Sequence, residues 1–182
     1  MVRDSFIDNG QVVEVATDIL CVEFLTEEYC EYLISACENL GTWKQNPGDS
    51  RFATHDIHFE KEFYGLYNTF ISQLHTNVFP KISDYWDIDP FYVDDLFALK
   101  YAKETQTHLD LHHDESYISC SVKLNEEYEG GFLEFPRQNF SNADVYVGDL
   151  ICWPSKVTHP HRSTSLIKGE KYSITIWTKD EE

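Results

Sequence analysis

Basic residues are scarce in this chain of 182 residues. Only 14 lysines and arginines stand against 32 acidic residues, and the formal net charge is −18. Nucleic acids and anionic membranes are bound through clusters of positive charge, so a chain this acidic is a poor candidate for either partner. The same charge suits a cationic substrate, although solubility is the simpler explanation.

Long apolar runs and paired cysteines are also missing. No run approaches the roughly 20 apolar residues that a membrane helix needs, and the first residues, MVRDSFIDNGQ, lack the apolar segment of a secretory signal. The five cysteines are odd in number and form no C-x-x-C pair, and Cys30, Cys37 and Cys120 lie at apolar-periodic positions. Buried free thiols are typical of a reducing compartment, so we predict a cytoplasmic protein.

Two helices are predicted in the first half of the chain. The first begins after Thr26, a suitable N-cap, and ends at Gly41, the residue type that closes many helices. The second runs from about Glu60 to Asn77, and Pro80 is expected to mark its end.

From about residue 97 the apolar period changes from helical to two, which predicts short β-strands. The predicted strands cover residues 97–101, 118–124, 132–135, 145–147, 150–153 and 172–177. Short strands separated by glycine, asparagine and proline predict an antiparallel sandwich or barrel. We expect one mostly β domain, with helical support over about residues 1–95 and a sheet core over about residues 96–179.

Histidines are concentrated around a short H-x-D sequence. Five of the eight histidines lie between His108 and His161, and His112 and Asp114 are two residues apart. On an extended segment, side chains two apart point the same way. Two imidazoles and one carboxylate bind one face of Fe(II) and leave the opposite positions open, so the pattern suits an iron site.

Spacing alone leaves other ligands open. His108 and Asp110 form a second H-x-D, His113 lies between the favoured pair, and His159 competes with His161. An isolated histidine is more often hydrogen-bonded or exposed than metal-bound. A structural role for these histidines therefore stands beside the iron interpretation.

A set of motifs in the second half occurs in a particular order. They are H-H-D at 112–114, L-N at 124–125, Y-E-G-G at 128–131, T-H-P-H at 158–161 and G-E-K-Y at 169–172. In this order they resemble the catalytic domain of the procollagen lysyl hydroxylases, which are 2-oxoglutarate- and Fe(II)-dependent dioxygenases related to the prolyl 4-hydroxylases. Weaker similarity reaches back to about residue 25. The resemblance implies a double-stranded β-helix, also called a jelly roll, flanked by helices.

The same resemblance assigns the metal ligands. It implies that His112, Asp114 and His161 bind Fe(II). The family places its distal histidine ten residues before a basic residue that binds 2-oxoglutarate, which selects His161 over His159 and makes Lys171 the basic residue.

Two further residues are candidates for binding 2-oxoglutarate. Ser173 lies two residues after Lys171, so both side chains should share one face of a strand. Tyr101 lies on the strand that leads into the site. Each is expected to add a hydrogen bond to the cosubstrate.

The resemblance implies a dioxygenase that uses dioxygen, 2-oxoglutarate and ascorbate to hydroxylate a protein or peptide side chain. Peptidyl lysine is favoured, with peptidyl proline or a small amino acid as alternatives, because lysyl hydroxylases generally have arginine where this chain has Lys171. Asp56, His58 and Arg51 are candidates for a substrate groove. A homodimer is an open alternative, and so is a non-enzymatic cupin-like metal-binding or sensing protein.

Overall fold

The computed structural model describes residues 5–45 and 54–181. Its helices are α1 (Glu27–Leu40), α2 (Phe59–Glu62), α3 (Tyr64–Gln73), a π-helical turn (Leu74–Val78), α4 (Phe79–Trp86) and a 3-10 turn (Asn142–Asp144). Its strands are β1 (Val12–Ala16), β2 (Ile19–Glu23), β3 (Lys44–Gln45), β4 (His55–His58), β5 (Tyr92–Ala102), β6 (Leu109–His112), β7 (Ile118–Lys123), β8 (Glu129–Gly130), β9 (Leu133–Phe135), β10 (Phe140–Ser141), β11 (Asp149–Pro154), β12 (His161–Ser163), β13 (Leu166–Lys168) and β14 (Glu170–Lys179).

Antiparallel strand pairing builds two larger sheets and a small ribbon. The major sheet has eight strands in the order β1-β2-β11-β7-β14-β5-β4-β3, and the minor sheet has four in the order β10-β9-β12-β6. Strands β13 and β8 form the ribbon. Strand β14 pairs with β5 along its whole length and with β7 on its other side, so it lies at the centre of the major sheet. The predicted antiparallel β-sandwich is confirmed.

The two faces of the major sheet have different neighbours. Alternate residues of β14, such as Ile174 and Ile176, are fully buried in a core that also contains Leu33 of α1, Phe70 of α3 and Ile82 of α4. The helices therefore cover this face, which we call the helix-covered face. The residues between them line a cavity on the opposite face, which we call the cavity face.

Helix α1 has the boundaries that its sequence predicts. The Thr26 side chain accepts a hydrogen bond from the Tyr29 backbone N–H, at 3.3 Å. Gly41 has a left-handed backbone with φ of 65°, and its N–H donates to the Cys37 carbonyl. Both ends are closed by local hydrogen bonds that a short sequence window is enough to specify.

The second predicted helix is divided into several pieces, and the prediction for Pro80 was wrong. The chain continues through the π-helical turn into α4, where Pro80 lies in the first turn. A proline is tolerated there because the first N–H groups of a helix have no partner within that helix. Pro80 therefore starts a helix that runs on to Trp86.

The strand predicted at residues 145–147 was also wrong, because residues 145–146 are irregular and a turn begins at residue 147. The buried Lys123 ammonium donates to the Val145 carbonyl at 2.8 Å, so a side chain takes the place of a strand partner. The Gly148 N–H in turn donates to the Lys123 carbonyl. Its φ of 90° suits glycine, and a Cβ there would lie 2.1 Å from the Leu25 carbonyl oxygen.

The cysteines and the helices give two further findings. Cys30, Cys37 and Cys120 are buried, as predicted, and all five cysteines are free thiols. Among the described residues, no helix combines the length and the apolar character needed to cross a membrane.

Candidate active site

The structure brings His112, Asp114 and His161 together at one end of the cavity. His112 is the last residue of β6, His161 is the first residue of β12, and the two are cross-strand partners in the minor sheet. Asp114 follows in the loop after β6. One ligand atom from each of the three side chains lies within 4.8 Å of the other two.

Backbone carbonyls orient both imidazoles. Nδ1 of His112 lies 2.7 Å from the Asp110 carbonyl oxygen, and Nδ1 of His161 lies 3.1 Å from the His159 carbonyl oxygen. A carbonyl only accepts, so each Nδ1 carries the proton and donates it. In the neutral ring this leaves the lone pair on Nε2, the atom that faces Asp114 in each case. This tautomer is the one that histidine uses to bind a metal through Nε2.

Electrostatics favour the metal-binding protonation states of Asp114 and His161. Burial disfavours the Asp114 carboxylate, but the two imidazoles and a hydroxyl outweigh it and lower the pKa of Asp114. Burial lowers the pKa of His161. Burial also disfavours charge on His112, but the nearby Asp114 carboxylate raises the pKa of that imidazole, so a bound metal ion has to displace a proton there. Two imidazoles and one carboxylate are the donor set of open Fe(II) sites, so these residues fit Fe(II).

The rival ligands lie elsewhere. His108 and Asp110 are exposed, with 3.9 Å between their nearest charged atoms. His113 is exposed, and its Nε2 contacts the Val157 carbonyl at 2.9 Å. His159 is buried, but its Nε2 lies 3.0 Å from the carbonyl of Thr17.

Lys171 and two hydroxyl-bearing side chains occupy another part of the cavity wall. Lys171 is buried, its ammonium donates to the Ser163 hydroxyl at 3.1 Å, and its Nζ lies 4.5 Å from the centroid of the Tyr101 ring. Burial, with a smaller effect of the Lys123 charge, lowers the pKa of Lys171 to about 7. Burial also raises the pKa of Tyr101 to about 12. The described partners of Lys171 are neutral, so this cation is suited to an incoming carboxylate.

Ser173 lines the same cavity, and Ser163 joins it as a residue that our sequence analysis missed. Strand β12 has a buried, exposed, buried pattern, so Ser163 shares a face with His161. The spacing of two residues after a metal ligand is the sequence signal that identifies such a position. Ser163 thus connects the histidine end of the cavity with Lys171.

The predicted groove residues lie next to the cavity wall. Asp56 and His58 are on β4, paired with Leu99 and Phe97 of β5, and both of these β5 residues line the cavity. His58 Nδ1 lies 3.0 Å from the Asp95 carboxylate, and this hydrogen bond raises the pKa of His58. Arg51, the third candidate, lies outside the described residues.

A family model supplies the decisive comparison. Residues 96–179 match the model of the 2OG-Fe(II) oxygenase superfamily. This match covers slightly less than half of the chain. The matched residues contain the Fe(II)-suited triad and the buried Lys171, so we refer to them as the oxygenase core.

Curated lysyl hydroxylases are similar over most of the chain. A multifunctional procollagen lysine hydroxylase and glycosyltransferase from Caenorhabditis elegans is 29% identical over 177 residues, covering 88% of this chain and 24% of the relative. A procollagen-lysine,2-oxoglutarate 5-dioxygenase 1 from Rattus norvegicus is 30% identical over 180 residues, covering 90% of this chain and 24% of the relative. The chain spans about a quarter of the length of these relatives. The predicted resemblance to lysyl hydroxylases is confirmed.

Solved structures share the fold. A viral collagen prolyl hydroxylase from Paramecium Bursaria Chlorella virus-1 superposes with a TM-score of 0.64 at 17% identity, covering 93% of this chain and 100% of that one. A 2OG-Fe(II) oxygenase family oxidoreductase from Burkholderia pseudomallei has a TM-score of 0.67 at 11% identity, covering 91% of this chain and 87% of that one. These likenesses confirm the predicted double-stranded β-helix around the oxygenase core.

Proposed function

We propose that this protein is a 2-oxoglutarate-dependent Fe(II) dioxygenase that hydroxylates a protein side chain, with peptidyl lysine as the favoured target. The observation that carries the proposal is a single cavity lined by His112, Asp114 and His161 and also by the buried cation of Lys171. A dicarboxylate that binds a metal through one end and an ammonium through the other matches this arrangement.

Each residue has a distinct role in the proposal. His112, Asp114 and His161 hold Fe(II), while Lys171 binds the distal carboxylate of 2-oxoglutarate. When bound, Fe(II) and 2-oxoglutarate would supply the oxidising chemistry: one oxygen atom of dioxygen would enter a substrate C–H bond and the other would enter succinate, with release of CO2.

The cavity wall orients the cosubstrate and limits access of water. The Ser163 hydroxyl accepts from Lys171 and so directs the ammonium, and Ser173 and Tyr101 offer hydroxyls on the same wall. Aromatic and aliphatic residues complete the wall, including Trp153, which is 2% exposed. A charged pair formed in such surroundings is stronger than one in water.

The choice of substrate rests on the lysine hydroxylase relatives and on the charge of −18, which favours a cationic target. Peptidyl proline is the alternative, since solved structures with the same fold include prolyl hydroxylases. A small amino acid is a third option. Ascorbate as reductant, a cytoplasmic location, one catalytic domain over residues 1–182 and a homodimer complete the proposal. The free cysteines support the location.

Mass spectrometry of reaction products tests the proposal. The protein is incubated with Fe(II), 2-oxoglutarate, ascorbate and collagen-like peptides that contain either lysine or proline, and succinate is measured in parallel. One added oxygen on lysine is the expected result, and oxygen on proline replaces the favoured substrate with the alternative. Absence of both succinate and peptide oxidation would overturn the enzyme assignment in favour of a cupin-like binding protein.

A further inference from the structure

Two buried serines form a hydrogen-bonded chain that ends on the candidate metal ligand Asp114. The Ser119 hydroxyl lies 2.6 Å from Oδ2 of Asp114, and the Ser155 hydroxyl lies 2.8 Å from that of Ser119. Ser119 is 0% exposed and Ser155 is 1% exposed. We infer that Ser119 and Ser155 are positioning residues that fix the Asp114 carboxylate for metal binding.

The available hydroxyl protons fix the direction of donation along this hydrogen-bonded chain of serines. An ionised carboxylate only accepts hydrogen bonds, so Ser119 must donate its single hydroxyl proton to Asp114. The Ser119 oxygen is then left as an acceptor, and Ser155 donates to it. The Trp153 carbonyl, 3.4 Å from the Ser155 oxygen, is a weaker second acceptor for the same proton.

The serines also distinguish the two oxygens of Asp114. Ser119 donates to Oδ2, which also lies 3.5 Å from Nε2 of His161, whereas Oδ1 lies 3.4 Å from Nε2 of His112. A carboxylate held through one oxygen cannot rotate about its terminal bond without losing a short, buried hydrogen bond. The hydrogen-bonded serines therefore hold the carboxylate plane fixed, with Oδ1 directed toward His112 and Oδ2 toward His161.

The sheet fixes the serines in turn. Ser119 is the second residue of β7 and is the cross-strand partner of Trp153 in β11. Ser155 follows β11 directly, and its N–H donates to the Tyr117 carbonyl. The major sheet thus supports Asp114, whereas both histidines belong to the minor sheet.

This inference rests on the proposed function, because it assumes that Asp114 binds a metal ion. Groups that orient metal ligands typically change metal affinity by about 10- to 100-fold when they are removed. We expect Ser119→Ala to weaken Co(II) binding by this factor and to alter the visible absorption of bound Co(II), which reports the ligand arrangement. Ser155→Ala should cause a smaller loss in the same direction, and Ser119→Thr, which keeps the hydroxyl, should retain most of the affinity.

A matched control separates positioning from packing. Ser116 is 2% exposed and lies in the same segment, but its hydroxyl bonds only to the carbonyls of Ile118 and Thr178 and to the Thr178 N–H. Ser116→Ala should lower thermal stability and leave Co(II) affinity and absorption unchanged. The inference is overturned if Ser119→Ala binds Co(II) like the wild type, if Ser119→Thr loses as much affinity as Ser119→Ala, or if Ser116→Ala loses as much as either. If the wild type itself binds no metal, the proposed function fails and this inference falls with it.

Discussion

The two faces of β14 differ in chemistry although both are buried. On the helix-covered face, Ile174 and Ile176 are 0% exposed and pack against apolar side chains. On the cavity face, Lys171 and Ser173 are 5% and 6% exposed and line a cavity. Burial of an ammonium group beside neutral partners opposes folding, whereas burial of isoleucine favours it. The comparison shows that the cavity face of β14, and not its helix-covered face, is available for ligand binding.

The strongest test of the cavity side removes a proposed metal ligand. His161→Ala should reduce 2-oxoglutarate turnover to background, because two of the three ligands cannot hold Fe(II) in the same arrangement. The measurement is succinate release in the presence of Fe(II). His113→Ala, which removes an exposed neighbouring histidine, should retain turnover; unchanged turnover in His161→Ala would contradict the ligand assignment.

A substitution on the helix-covered face should lower the stability of the protein and leave 2-oxoglutarate binding intact. Ile174→Ala should lower the free energy of unfolding by about 2–5 kcal/mol, because it leaves a cavity in a packed core. Urea denaturation measures this loss, and calorimetry with Mn(II) present measures 2-oxoglutarate affinity, which should remain within a few-fold of the wild type. The neighbouring residue Ser173 lies on the cavity face. Ser173→Ala should weaken 2-oxoglutarate binding and change the free energy of unfolding little. Equal effects of the two substitutions would remove the distinction between the faces.

Replacing the buried ammonium group of Lys171 should weaken ligand binding without loss of stability. Lys171→Met should weaken 2-oxoglutarate binding by about 100-fold, which corresponds to the roughly 3 kcal/mol at the upper range for a hydrogen bond to a charged group. It should not lower the unfolding free energy, since it removes a buried charge. The exposed Lys168 provides the matched control, and Lys168→Met should leave affinity unchanged.

The smallest expected effect is a pH dependence of 2-oxoglutarate affinity. In the free protein, burial lowers the pKa of Lys171 to about 7. A bound carboxylate favours the ammonium form and raises this pKa, so binding above about pH 7 takes up a proton, and affinity falls as pH rises by up to about tenfold per unit. Below about pH 6, where Lys171 is fully protonated, its contribution to the affinity should no longer change with pH. Calorimetry in buffers of different ionisation enthalpy detects the uptake; Lys171→Arg, which stays charged, should abolish it.

Much of the site was predictable because its chemistry repeats at fixed spacing. The H-x-D of His112 and Asp114 and the ten-residue interval from His161 to Lys171 are visible in the sequence. Ser119 and Ser155 were not predicted, since neither lies two residues from a metal ligand or from Lys171 in the sequence. Their role is visible only in the folded structure, in which Ser119 donates to Asp114 and Ser155 donates to Ser119.

The fold was predictable where short-range physics decides it, as at the caps of α1. The hairpin of β1 and β2 was missed, because the VVEVA sequence of β1 is largely exposed and does not alternate between apolar and polar residues. Its turn uses Asp18 at φ of 53°, without the glycine that usually marks such a turn. The conformation of residues 145–147 depends on Lys123, more than 20 residues earlier in the chain, so no local pattern predicts it.

The direct pairing of His112 with His161 has a consequence for changes in chain length. Side chains alternate between the two faces of a strand, so losing one residue inside β6 would reverse the parity of the strand and turn its histidine away from Asp114. The turn at residues 136–139 is largely exposed and lies between the paired strands β9 and β10. Insertions there lengthen the chain between the two histidines without altering that parity. The oxygenase core can therefore accept insertions in this turn, whereas the number of residues in strand β6 has to stay the same.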